Sequence, residues 1–203
     1  KQADSLSAKN INNESVTILE GNIVFKKDSK MLYGDKAIQS NTSGIVKLSN
    51  NVKIEDENMT IFCDSLLYYS DNEDIELIGN VKVVDIEQSI SSKKGKLIND
   101  RNKMILEDDC EITDGSRRIT GDFFEIEFEN KSIESLNVLE NGVIYSSNTG
   151  FEKKDELKVP INNVDILKAE IINIKMDKND ISKIDLIGMA SSFIHLYQDS
   201  LYQ

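Results

Sequence analysis

One short pattern, repeated at a fixed interval, restricts what this chain can fold into more than any other feature. Ile75, Leu77, Gly79, Val81 and Val83 occupy alternate positions, the spacing that puts side chains on one face of a β-strand. Moving back by 29 residues gives Val46, Leu48, Asn50, Val52 and Ile54, and by 29 more Thr17, Leu19, Gly21, Ile23 and Phe25. Moving forward by 29 gives Met104, Leu106, Asp108, Cys110 and Ile112. Looser copies follow at Leu139, Asn141, Val143 and Tyr145, and at Ile184, Leu186, Gly188 and Ala190. An interval this regular implies one supersecondary unit used repeatedly.

The centre of each copy interrupts its apolar face. The residues there are Gly21, Asn50, Gly79, Asp108, Asn141 and Gly188, the types that best tolerate positive φ. A bulge or sharp bend is therefore expected in the middle of each strand. The plainer alternative is that small polar residues face solvent there.

A second pattern alternates with the first, also at intervals of 29. It runs through MLYGDKAI (31–38), TIFCDSLLYY (60–69), SISSKKGKLI (89–98) and RITGDFFEIEF (118–128). Each narrows to a small residue, Gly34, Cys63, Ser92 or Gly121, followed by Asp35, Asp64 or Asp122, with Lys93 the exception. Short polar turns such as KKDSK, SDNED and FENKS lie between. Each unit thus reads as two strands of about 10–13 residues joined by a turn, too short for a parallel crossover. The expected fold is all-β: ten or more long, bent, antiparallel strands without a convincing helix. Bending every strand at its centre makes a folded ribbon with apolar inner faces and open ends, each arm roughly 20 Å long. The repeats are clear over 13–147, an insertion is expected at 148–164, and a looser repeat over 165–203 stops in mid-unit. One domain accounts for 1–203.

The charge excludes several partners. The chain has 36 acidic and 24 basic residues, a net charge of −12. Nucleic acid and anionic membrane surfaces demand clustered Lys and Arg. No apolar run approaches the ~20 residues of a membrane-spanning helix.

Catalytic chemistry is hard to place. With one histidine, His195, a His-based metal cluster or a Ser–His–Asp triad would hang on a single residue, and a structural role suits it better. No CxxC, HExxH, GxSxG or P-loop occurs. DDCEITDG (108–115) has its Gly in the wrong place for a Ca²⁺ loop, and DNED (71–74) reads as a solvated turn. Cys63 and Cys110 read as buried free thiols, a disulfide between them being the alternative. An enzyme is not expected, nor a cofactor or metal. A structural or adhesive β-solenoid with a closed core stays open as a second reading. A carbohydrate-active enzyme on a β-helix is disfavoured, because the acids spread over turns and outer faces.

The stretches LEGNIVF (19–25), LSNNVKI (48–54), LIGNVKV (77–83), LYGDKAI (32–38) and IFCDSLLYY (61–69) resemble the OstA-like family of lipopolysaccharide-transport proteins. That family includes a periplasmic bridge (the LptA type), an inner-membrane-anchored component (LptC) and the N-terminal domain of the outer-membrane translocon (LptD). The resemblance implies a V-shaped β-jelly-roll, or β-taco, that carries lipid A acyl chains in an inner groove. It implies a periplasmic location and end-to-end joining to other jelly-rolls of the kind through edge strands. The edges here are DSLSAKNI (4–11) and ASSFIHLYQ (190–198). Mapped onto this sequence, the lipid-binding candidates are Leu19, Ile23, Phe25, Leu48, Val52, Ile54, Leu77, Val81, Val83, Leu106 and Ile112. The opposing possibility is that they fill a closed core.

Overall fold

The alternating residues form strands, and the polar clusters between them form turns. The structure, a computed structural model, describes residues 2–195 except 12, 28, 57–58, 86–87, 100–101, 130–131, 155–156 and 178–179. Of Lys27, 150–154 and 157–160 it describes the backbone alone. In chain order the strands are β1 (Ser5–Ile11), β2 (Glu14–Lys27), β3 (Lys30–Ser40), β4 (Ile45–Asp56), β5 (Met59–Tyr69), β6 (Ile75–Val84) and β7 (Ser89–Ile98). They continue as β8 (Lys103–Asp114), β9 (Arg117–Glu129), β10 (Ser132–Lys154), β11 (Leu157–Asp177), β12 (Asp180–Ile187) and β13 (Ser191–Phe193). No α-helix occurs among the described residues. Strands β1 to β12 pair antiparallel in sequence order, and β13 pairs with β11. The sheet does not close, so β1 forms one edge and β12 with β13, side by side on β11, forms the other.

The expected bends are present. In β6, Ile78 pairs with Lys94 and Val81 with Ser92, so Gly79 and Asn80 together oppose Lys93 alone. Gly79 and Asn80 have φ of 75° and 45°. The same two-residue left-handed element occurs at Gly21–Asn22, Asn50–Asn51, Asp108–Asp109 and Glu140–Asn141, each beside a register shift. Gly188 has φ 80°, at the break between β12 and β13. One detail differs from the sequence reading: these residues do not sit on the inner face. Asn50, Asn51, Asp108 and Asp109 are exposed, because the left-handed pair swings both residues to the convex side.

The other strands bend without an extra residue. Their inward positions change phase instead: Ile61 and Cys63 are buried, and the next buried residue is Leu66, three along. In β4 the step across the bend is four, from Leu48 to Val52. The small residue of the second pattern sits where the crease is tightest. A Cβ on Gly34 would stand 2.7 Å from the Leu48 side chain, and one on Gly121 2.5 Å from Val138.

The bends divide the sheet into two arms that face each other. One arm holds 23–27, 30–34, 52–56, 59–63, 81–84, 89–92, 110–114 and 117–121. The other holds 14–20, 36–40, 45–49, 65–69, 75–78, 94–98, 103–107 and 123–129. Leu48, Leu66, Met104, Leu106, Phe124 and Ile126 are completely buried, yet no second sheet or helix covers them among the described residues. The sheet covers itself by folding along the crease.

Two stretches singled out in the sequence take a definite form. Residues 148–154 and 157–164 continue the β10–β11 hairpin in unbroken register, from Asn148↔Asn163 to Lys154↔Leu157. They project past β9, whose last partner in β10 is Ser146. The DNED turn is not wholly solvated. Asp74 is 6% exposed, accepts a hydrogen bond from the Asn99 backbone N–H at 3.3 Å and lies 3.4 Å from Lys96 Nζ.

Candidate functional site

The eleven predicted residues are brought together on the inner face. Leu19, Ile23, Leu48, Val52, Ile54, Leu77, Val81, Val83, Leu106 and Ile112 belong to one buried cluster, with Phe25 partly buried against it. They come from β2, β4, β6 and β8, so they form alternate rows of the interior. The rows between come from the odd-numbered strands: Ala37, Ile61, Leu66, Ile90, Ile119, Phe124 and Ile126. The sequence reading left these out because their alternation changes phase at the bend. The small residue before each break, as in Cys63-Asp64-Ser65-Leu66, was the available signal.

The interior is continuous along the sheet, from Leu19 in β2 to Ile172 and Ile174 in β11. Its mouth, opposite the crease, is lined by residues that are only partly buried: Phe25, Leu32 and Met59 on one arm, and Val46, Tyr68, Leu97 and Phe128 on the other. Midway along the mouth lies a cavity of about 370 Å³. Its apolar wall includes Ile54, Met59, Ile61, Ile75, Leu97 and Met104, and Lys30, Asp56, Glu73, Asp85 and Lys103 stand around it. Among the described residues a hydrogen bond crosses the mouth there, from Lys30 Nζ to Asn99 Oδ1 at 3.1 Å.

Among the described residues polar side chains lie mostly on the outside and the rims; Ser92, buried in β7, donates to the Lys94 carbonyl at 2.8 Å. Lys53 donates to Glu55 at 2.7 Å, Tyr33 donates to the same carboxylate at 2.8 Å, and Lys53 lies 4.2 Å over the Tyr33 ring. The hydrogen bond from Lys53, more than that from Tyr33, holds the Glu55 carboxyl below its ordinary value. His195 has a structural partner: its backbone N–H and its Nδ1 lie 2.8 and 3.0 Å from Asp165 Oδ1. Among the described residues no group of three or more His, Cys, Asp or Glu could hold a metal ion.

The two cysteines are separate. Cys63 is in β5 and Cys110 in β8, three strand spacings apart, roughly 14 Å, well beyond disulfide reach. Both are buried free thiols. Burial pushes Cys63 up to about 11 and Cys110 up to about 12, so neither is a nucleophile at neutral pH.

The arrangement offers an apolar interior, a mouth with a charged rim, and two sheet edges. Among the described residues no acid, base and nucleophile converge. The profile of the family described as OstA-like protein matches residues 1–89, which span β1 to β6 and the first residue of β7. No curated protein matches the chain. Among solved structures, one that matches is LptH of Pseudomonas aeruginosa, the LptA homologous periplasmic component of the conserved lipopolysaccharide transport device. It is 13% identical, over 81% of this chain and 90% of that one, with a TM-score of 0.26.

Proposed function

With residues 1–89 OstA-like, we propose that this chain serves lipopolysaccharide transport in the periplasm, as a carrier that holds lipid A acyl chains between its two arms. The observation behind this is the continuous apolar interior, flanked by arms that meet at a crease and are bridged at the mouth by the hydrogen bond from Lys30 to Asn99. Acyl chains need such a surface and no directed chemistry, gaining about 25 cal/mol for each Å² removed from water. The inner residues are almost fully buried against one another, so loading requires the arms to separate about the crease. The edges β1 and β12 leave backbone N–H and C=O groups unpaired. They suit β-augmentation by another jelly-roll of the same kind, which would continue one interior into the next.

The complete burial of Leu48, Leu66 and Leu106 favours a second reading, a structural protein whose core never opens. A photoreactive phenylalanine analogue placed at Phe25, on the inner rim, or at Phe62, exposed on the outer face, distinguishes the two. The carrier crosslinks lipopolysaccharide from position 25 and not from position 62. Equal labelling at both, or none at 25, removes the carrier reading.

A further inference from the structure

The cavity at the mouth lies between turns of opposite arms, far from both sheet edges. We propose that it is a side port for a single alkyl chain of an anionic amphiphile, latched by the hydrogen bond between Lys30 and Asn99. This rests on the carrier reading and adds a route of entry through the mouth, distinct from passage through the open ends.

Three observations carry it. The first is size. About 370 Å³ lies at the small end of ligand pockets, roughly 300–1,000 Å³. It is too narrow for an α-helix about 10–12 Å across. Its walls are strand ends and turns, so an added strand finds no ladder to pair with. An alkyl chain needs neither.

The second is continuity. Ile54, Ile61, Ile75 and Met104 line the cavity and are also members of the buried cluster. A chain that enters here therefore reaches the interior without crossing a polar layer.

The third is the latch. Lys30 bridges the arms through a neutral amide oxygen, and Asn99 is itself held in place by buried Asp74 through its backbone N–H. A charged acceptor displaces a neutral one at an ammonium. Ser29 donates to Asp56 at 2.8 Å, Asn99 Nδ2 to Glu73 at 3.4 Å, and Lys103 to Glu125 at 2.8 Å. Asp56, Glu73 and Asp85 stand on the same rim, and Lys30, which keeps its full charge while bonded to a neutral amide, is the cation placed to meet an anionic headgroup there. Exchanging Asn99 for that headgroup gives Lys30 a charged acceptor and removes the bond that bridges the gap.

The test uses the whole protein with dodecyl phosphate and dodecyl maltoside as probes below their micellar concentrations, titrated by calorimetry. Met59→Trp and, from the opposite lip, Leu97→Trp each fill the gap and lower affinity for both probes about tenfold or more, with melting behaviour confirming the fold. Lys30→Glu lowers affinity for dodecyl phosphate about tenfold and leaves dodecyl maltoside within about twofold. Wild-type affinity for both probes in a folded Trp variant overturns the port, as does equal loss of both probes in Lys30→Glu. Lipopolysaccharide crosslinking at Phe25 that persists in a Met59→Trp protein with wild-type affinity for both probes keeps the carrier and discards the port. Its absence from the wild type discards both.

Discussion

At the crease, each left-handed pair is tied by side-chain contacts to residues of the segment that runs beside it earlier in the chain. Asn80 Nδ2 donates to both Asp64 oxygens at 3.2 and 3.0 Å. Asn22 donates to Asp4 at 2.9 Å, Asn51 to Asp35 at 2.5 Å, and Asn141 to Asp122 at 2.5 Å. The one unit that departs from Asp departs on both sides: Lys93 meets Asp109 at 2.5 Å, and Lys94 meets Asp108 at 3.0 Å. Lys93, an exception in the sequence pattern, is thus the partner of an exceptional Asp109. Lys93→Asp is expected to lower Tm by stacking carboxylates at the bend, and adding Asp109→Asn to recover most of the loss; equal Tm in the single and double variants contradicts the pairing. Gly79→Val is expected to cost roughly 1–3 kcal/mol despite the higher strand propensity of Val, since φ is 75° and the new Cβ falls 2.2 Å from Asp64 Oδ2. A neutral effect in thermal melts would contradict the bend. Gly, Asn and Asp at six spaced positions made the bends legible in the sequence. The other residue of each pair was not, because reading alternate positions skips Asn22, Asn51, Asn80, Asp109 and, ahead of Asn141, Glu140. For the thiols, burial well above the ordinary cysteine value predicts slow native labelling by a disulfide reagent at pH 8 and prompt labelling of both after unfolding. A single reactive thiol, or none, in the unfolded chain contradicts two free cysteines.

Whole strands were legible where one face is apolar and polar turns punctuate it, as in β4 through β9. The phase change within β5, β7 and β9 was not, because it follows from a bend made by the neighbouring strand. That is why Ile61, Leu66, Phe124 and Ile126 were missing from the candidate site. The long β10–β11 hairpin breaks the interval of 29, and its polar stretch resembles an insertion by composition. At the other end of β11, β13 is paired through three residues only, Ser191 to Phe193, and Asp165 reinforces it. That carboxylate accepts from the His195 backbone, faces His195 Nδ1, and accepts from Asn148 Nδ2 at 2.6 Å. The backbone hydrogen bond from His195, ahead of its ring, holds Asp165 below its ordinary value. A depressed folded-state value means the attachment is fully present above the unfolded carboxyl value, near 3.9, and is lost as pH falls through the lower folded value. Amide exchange at 191–195 is therefore expected to quicken below about pH 4, and to be quick already at neutral pH in Asp165→Asn. Unchanged protection in that variant contradicts the anchoring role.

Over the whole molecule, the antiparallel sheet with unjoined ends follows from turns too short for crossovers and from bends that recur in phase. Whether the interior opens is not written in residue types, since Leu and Val line a closed core and a lipid groove alike. If copies join end to end, Ser5→Cys and Ser192→Cys, on opposite edges, should form disulfides between molecules; compact monomers at high concentration, with no trapped dimer, contradict that joining. For the chain to carry lipid, the two arms must part along the crease to admit acyl chains. Spin labels at Met59 and Leu97, on facing lips of the mouth, measure it by pulsed electron resonance with and without lipopolysaccharide. Facing layers pack about 10 Å apart, and one layer of chains between them should lengthen the distance by roughly 5 Å. An unchanged distance at saturating lipopolysaccharide would contradict it.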